Sequence, residues 1–497
     1  MLEKDTSTFP FDNTFAQLPE RFYARLAPTP VSSPHLVRLN DTLARQLSLD
    51  PAHLTGASGV EVFAGNRVPD RADPLAMAYA GFQFGSWVPQ LGDGRAILLG
   101  ELIDRDGQRR DVQLKGAGRT PFSRMGDGRA VLGPVLREYI VSEAMAALGI
   151  PTTRSLAAVL TGEQVIRENS LPGAVLTRVA SSHIRVGTFQ YFAARRDTEA
   201  LALLADYVIH RHYPNLTLVD EPYLALLSAV IERQAALVAQ WQLIGFIHGV
   251  MNTDNMSIAG ETIDYGPCAF MDTYHPETVY SSIDHMGRYA YQNQPPIAHW
   301  NLAGLAQALL PLLSENEDEA VEKATAAINT FTECFKASYT AGLGRKLGLF
   351  TVDPGDEALG SDLLERMARN KADFTLTFRY LSALSQTQTD ADEHVRALFE
   401  DPAEFDQWVA DWRERLKQNG IADNERQDQM RKANPIYIPR NHLVEAAIRA
   451  AEDSDDRAPF NHLVTVLASP YQQQPDGAAY AEPPRPEQVV HQTFCGT

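Results

Sequence analysis

The sequence predicts an α+β fold in which a strand-rich stretch precedes a long helical one. Strand-like runs joined by short turns occupy much of residues 96 to 180, and helical periodicity dominates from Leu302 into the 460s. The length of 497 residues suffices for two or three average domains or one large two-lobed enzyme, and a hydrophobic content of 44% allows full cores.

Residues 1–75 mix short helical patterns with Pro28, Pro30 and Pro34, and Ser48-Leu49-Asp50-Pro51 ends one helix and opens another. No chemistry is visible there, so this stretch is expected to be part of an N-terminal extension, over 1–88, packed on the body. Pro89-Gln90-Leu91-Gly92-Asp93-Gly94-Arg95 follows. Gly92 and Gly94 allow backbone to approach a ligand, and Arg95 carries a fork suited to phosphate, although a plain hairpin turn explains the same glycines.

The runs Gly100 to Ile103 and Asp111 to Lys115, joined by the turn Asp104 to Gly107, predict a hairpin ending on Lys115. Gly116 to Pro121 and Met125 to Arg129 are too glycine-rich and charged for a core and form a plausible phosphate nest. A helix from about Val135 to Leu148 carries Glu138 and Glu143. Either could pair with Lys115, and spacing alone does not choose between them. Strands are expected over 150–180, with Arg178 and Arg185 flanking a polar turn where their forks could meet phosphate. Helices are expected over 198–211 and 221–244, the second buried.

The stretch Gly245 to Asp272 places Asp254, Asn255 and Asp264 around a short polar turn and a short apolar run. Hard oxygen ligands of this kind suit Mg²⁺, which takes one or two carboxylates plus substrate phosphates. A protein-kinase catalytic loop reads H-R-D-L-x-x-x-N and is followed by D-F-G. Here Asn255 lies seven residues after His248, Asp264-Tyr265-Gly266 stands for D-F-G, and Val250 occupies the position of the kinase base. The nearest carboxylate is Asp254, directly beside Asn255, so proton removal must differ from that in a kinase.

Further on, Trp408 and Trp412 share a helix face and read as core. Asn434 to His442 is an extended segment opening a helix, and the stretch after Pro470, rich in Pro, Gln and Gly, is expected to be a mobile tail. With 44 basic and 63 acidic residues the formal charge is −19, which disfavours nonspecific binding to nucleic acid or an anionic membrane. Three cysteines (Cys268, Cys334 and Cys495) have no metal-ligand spacing and fit a reducing, cytoplasmic setting. The N-terminus has no signal-peptide pattern, and no segment offers about 18 uninterrupted apolar residues.

The segments Pro89 to Arg95, Lys115 to Gly118, Asp127 to Arg129, His248 to Asn255, Ile263 to Pro267, Asn434 to Leu443 and Cys495-Gly496-Thr497 together resemble the selenoprotein O family of kinase-like protein adenylyltransferases. The resemblance implies a protein-kinase-like bilobal fold: an extension over 1–88, an N-lobe over 89–190, a helical C-lobe with the catalytic and metal loops over 191–470, and a tail over 471–497. It implies ATP bound in reverse, so that AMP passes to Ser, Thr or Tyr hydroxyls of proteins and pyrophosphate leaves. Carried over by motif, Gly92, Gly94, Arg95, Lys115, Asp127, Gly128, Arg178 and Arg185 bind the nucleotide and Glu138 pairs with Lys115. Asn255 and Asp264 hold Mg²⁺ or Mn²⁺, and Asp254 accepts the proton. Two features depart from the family: Phe82 stands where A-G-H-Q-F-G has His, and the loop after Asp264-Tyr265-Gly266 carries no cysteine to pair with Cys495 except Cys268. An ordinary kinase transferring the γ-phosphoryl group and a nucleotide-gated scaffold without catalysis are the competing readings.

Overall fold

The computed structural model describes residues 9–351, 353–418 and 420–494. Its first half is built on an antiparallel sheet. The strands are β1 (Tyr23–Arg25), β2 (His35–Leu39), β3 (Leu75–Met77), β4 (Gly81–Gln83), β5 (Ser86–Val88), β6 (Ala96–Ile103), β7 (Arg109–Lys115), β8 (Ala130–Val131), β9 (Arg154–Ile166) and β10 (Ser170–Ala180). The sheet runs β1-β3-β6-β7-β10-β9-β2, β8 adds to β10, and β4 and β5 form a separate hairpin. The first 88 residues therefore do more than wrap the body, since they supply both edges of the sheet.

One face of the sheet, through Ile97, Val112, Leu114, Val175 and Val179, packs on α1 (Asp41–Gln46), α2 (Pro51–Leu54) and α3 (Ala57–Ala64) together with Phe9 and Phe11. The other face, through Ala158, Ala174 and Leu176, packs on α4 (Leu132–Ala147), whose Val135, Leu136, Tyr139 and Ile140 recur at helical spacing. Side chains alternate along a strand, so this second face also receives Gln113, Lys115 and Arg178. The site begins here.

From residue 186 onward the described chain is mostly helical: α5 (Val186–Ala194), α6 (Thr198–His212), α7 (Pro222–Leu243), α8 (Gln294–Leu313) and helices through Ala458–Leu467. By length and composition α7 is apolar enough to cross a membrane, yet it is packed into the core, where Leu227, Val230, Ile231 and Val238 are fully buried. Trp408 and Trp412 lie in a second core, stacked at 6.0 Å, and donate to the carbonyls of Leu359 and Leu347 at 2.9 and 2.8 Å. Of the segment after Pro470, expected to be mobile, the described part to Phe494 lies on the body: Tyr471 donates to Leu148 O at 3.0 Å, and Thr493 pairs with Ser281.

Candidate functional site

Lys115 ends β7 opposite Ala96 and Leu176, and Arg178 lies opposite Gln113 on the same face. From α4, Glu138 Oε2 lies 2.5 Å from Lys115 Nζ and its Oε1 lies 2.5 Å from Arg178 Nε. Glu143 is engaged elsewhere, 2.7 Å from Arg154 and accepting the Ser155 N–H, so the partner of Lys115 is Glu138. Asp264 joins the group through Oδ1, which accepts from Arg178 and lies 3.5 Å from Lys115, and through Oδ2, which accepts from Arg185 Nη1 at 3.1 Å. Three cations thus enclose two carboxylates, and a third acid, buried Asp93, lies 3.7 Å from Arg185.

Burial opposes ionisation of Glu138 and Asp264, but their cationic neighbours, Arg178 foremost, prevail and hold both carboxyls below the usual range. Burial and then the like charge of Arg178 lower Lys115 from its ordinary value. Glu138 and Asp264 are therefore ionised, and the cluster gathers Lys115, Arg178 and Arg185, the kind of cations that recognise phosphate.

The loop carrying Asp264 hangs between two short paired strands, β11 (Phe246–Ile247) and β12 (Ala269–Phe270). Buried His248 ties its halves together. The Val250 N–H donates to Nδ1 at 3.3 Å, so Nε2 carries the proton and donates to Ile263 O at 2.9 Å. Burial lowers the pKa of this imidazole, which keeps it neutral in that bridge. The flanking helices hold the loop from outside: Gln234 and Trp241 of α7 donate to Ser257 O at 2.6 Å and Thr262 Oγ1 at 2.9 Å, and Asn301 of α8 donates to Met251 O at 2.9 Å.

Asp254 and Asn255 occupy a single turn, Thr253–Asn255, in this loop. Arg185 links that turn to the charge cluster, because the Nη1 that meets Asp264 also donates to Asp254 O at 2.9 Å. Asn255 donates its amide to Val250 O at 2.9 Å, which leaves Oδ1 as the atom that can meet a cation.

The β4–β5 hairpin covers the turn. Phe82 N–H donates to Thr253 Oγ1 at 2.8 Å, Gln83 Nε2 to Asp254 Oδ2 at 3.3 Å, and Phe84 N–H to Asn252 Oδ1 at 3.0 Å. Asp254 Oδ1 is buried without a hydrogen-bond partner, and a Cβ on Gly81 would sit 2.9 Å from it. Burial raises the Asp254 carboxyl to about 6 against the opposing pull of Arg185.

The 90s and 120s loops are stitched together beside Lys115. Thr120 Oγ1 donates to Asp93 O at 2.7 Å, Gly116 N–H donates to Arg95 O at 2.7 Å, and Ser123 bonds the carbonyl of Gly94. Gly92 has φ +120°, and a Cβ there would lie 2.4 Å from the Phe122 ring, so glycine is required for this packing whatever binds above it. The Gly128 carbonyl accepts from the Gly118 N–H at 3.0 Å. Asp127 is turned away from the charge cluster, half exposed and bonded to Arg167 at 2.8 Å.

The SelO protein adenylyltransferase family model matches residues 5–468 of this chain. The chain belongs to the SelO family. It is 65% identical over 495 residues to the protein nucleotidyltransferase YdiU of Rhodopseudomonas palustris (strain BisB5), covering 99% of this chain and 100% of that protein. It is 64% identical over 492 residues to YdiU of Bradyrhizobium diazoefficiens, with the same coverage. The chain is accordingly a nucleotidyltransferase acting on protein, with ATP as its substrate.

For a SelO enzyme the donors fit a hard cation. Asn255 Oδ1 and the Asp264 carboxylate offer oxygen only, and among the described residues no group of three or more His, Cys, Asp or Glu could cage a softer metal. Cys268 is a free, buried thiol pushed up to about 12 by burial, and its suggested partner Cys495 lies outside the described residues. Sequence reasoning missed three contributors. Buried Asp93 lies 3.7 Å from Arg185, and Tyr79 carries the Arg185 guanidinium 4.6 Å over its ring. Gln83 is the third, and the Ala80 to Gly85 run containing it was the only available signal.

Proposed function

We propose that this chain transfers AMP from ATP to Ser, Thr or Tyr hydroxyls of proteins and releases pyrophosphate, with the nucleotide reversed in a kinase-like cleft. The sheet with α4 forms one lobe and the helical remainder the other. The observation that carries the reading is the ion cluster of Lys115, Glu138, Arg178, Asp264 and Arg185, which a single guanidinium joins to the Asp254 turn.

Lys115, Arg178 and Arg185, with Arg95 beside them, bind the phosphates, while Glu138 orients Lys115 and Arg178 together. Gly92, Gly94, Asp127 and Gly128 shape the loops around the nucleotide. Asn255 and Asp264 would hold Mg²⁺ or Mn²⁺, which when bound neutralises phosphate charge and orients the reacting phosphoryl group. The acceptor hydroxyl oxygen attacks the α-phosphorus, the bond to the β-phosphate oxygen breaks, and the hydroxyl proton passes to Asp254. Asp254 suits this role because its Oδ1 has no competing donor and burial raises its carboxyl to about 6. The pattern of cysteines and charge supports a cytoplasmic setting.

Incubation with ATP labelled at the α or the γ position tests the reaction. Protein label from the α position only, lost in Asp254→Asn, is expected; label from the γ position only would overturn the reading.

A further inference from the structure

A cavity of about 650 Å³ opens beside the Asp254 turn, lined by Phe82 and Trp87 of the β4–β5 hairpin, Gln190 of α5, and Gly304 and Gln307 of α8. Two of its lining residues, Phe82 and Gly304, back onto that turn. The Phe82 N–H bonds Thr253 Oγ1 at 2.8 Å, a Cβ on Gly304 would lie 4.0 Å from Thr253 Cγ2, and one on Gly187, a turn before Gln190, would lie 3.4 Å from Asp254 Cα.

None of Lys115, Arg178, Arg185 or Asp264 lines this space, and its charged lining, Arg196 with Glu315 and Glu317, is acidic on balance, which does not suit phosphate. It offers aromatic surface instead: the Phe82 ring lies 5.0 Å from Trp87 and 5.2 Å from Trp300, and Trp87 is 37% exposed. It also offers amides. Gln190 is 5% exposed, and its Oε1 is buried without a hydrogen-bond partner.

Aromatic walls with amide groups suit an extended polypeptide, whose side chain packs on rings while its backbone N–H groups meet side-chain carbonyls. The family acts on protein, and a segment of that protein must pass close to Asp254. We propose that this cavity seats the protein acceptor, holding an apolar or aromatic side chain a few residues from the hydroxyl that is modified. The inference rests on the reading of Asp254 as proton acceptor and adds where the acceptor chain docks.

Ala194 and Gln307 lie at the exposed rim, so Ala194→Trp and Gln307→Trp fill the cavity without disturbing the core. Each variant is assayed for label transfer from α-labelled ATP to the proteins of a bacterial lysate and, by calorimetry, for ATP affinity. Transfer is expected to fall by about tenfold or more with ATP affinity unchanged. Transfer at the native level in both variants, or a parallel loss of ATP affinity, would overturn the docking role. Asp254→Asn separates the two ideas: label transfer that survives this change removes the proton-acceptor reading. Label lost there but native in both tryptophan variants removes only the docking cavity.

Discussion

Asp254 lies 93% buried with one oxygen unpartnered, and its carboxyl rises from 3.8 to about 6, burial being the main cause. A difference of about two pH units corresponds to roughly 3 kcal/mol. Because the folded value lies above the unfolded one, the native state binds more protons between about pH 4 and 6. Stability therefore falls as pH rises through that window, and the full cost is present at pH 7. Asparagine cannot ionise, so in chelator-treated, nucleotide-free protein Asp254→Asn removes the cost. The chain's unfolding entropy, about 2 cal/mol/K per residue, converts 3 kcal/mol to roughly 3 °C if the protein unfolds as one unit. A new amide N–H where Oδ1 was unpartnered offsets part of this gain, so a rise of about 1–2 °C at pH 7.5 and none near pH 4 is expected in thermal melts. In the same variant, loss of a general base lowers label transfer by about 10²–10⁴. A lower melting temperature at pH 7.5 would refute the burial argument, and undiminished transfer would refute the catalytic one.

Other outcomes follow from the same reasoning. Glu138→Ala leaves Lys115 and Arg178 buried beside one carboxylate fewer, which should cost about 3–5 kcal/mol, seen as a lower melting temperature, and weaken ATP binding measured by calorimetry. Lys346 is buried against the Phe374 and Phe378 rings, 5.5 and 4.2 Å from their centres, and burial lowers its ammonium from 10.5 to about 7. The unfolded state then binds more protons between about pH 7 and 10.5, so the cost is full below 7 and fades above; Lys346→Met should raise the melting temperature at pH 6 by more than at pH 9, and an equal or opposite effect would contradict it. Thr493→Ala removes a 2.6 Å bond to Pro267 O, and amide exchange at 278–284 should quicken by about tenfold, corresponding to roughly 1.4 kcal/mol. Unchanged exchange would show that the C-terminal stretch does not hold that loop.

The parts of the site that could be read from sequence are those whose partners are close in sequence or in a repeating element. Lys115 at the end of a seven-residue strand and Glu138 on the next helix are such a pair, and so are Trp408 and Trp412 at one turn's spacing. Glu138 and Glu143 could not be separated because both are within one helix turn or two of the same strand. What decides is that Arg154, at the start of β9, already engages Glu143. The sheet edges were illegible for a different reason: β1 and β3 are three residues each, too short for alternation to show, and they pair with each other across some fifty residues.

The cover over Asp254 was beyond sequence reasoning because it joins residues 171 positions apart, and its main bonds are made by backbone N–H groups that every residue but proline has. This also resolves the departure at Phe82. Its main chain holds Thr253, a bond indifferent to the side chain, while the ring faces Trp87 and Trp300. Position 82 is thus free to vary without releasing the Asp254 turn, and a change there acts on the aromatic wall of the cavity. Phe82→His should therefore leave the melting temperature and ATP affinity near native and alter which proteins accept label. A general loss of ATP binding would show instead that the ring supports the turn itself.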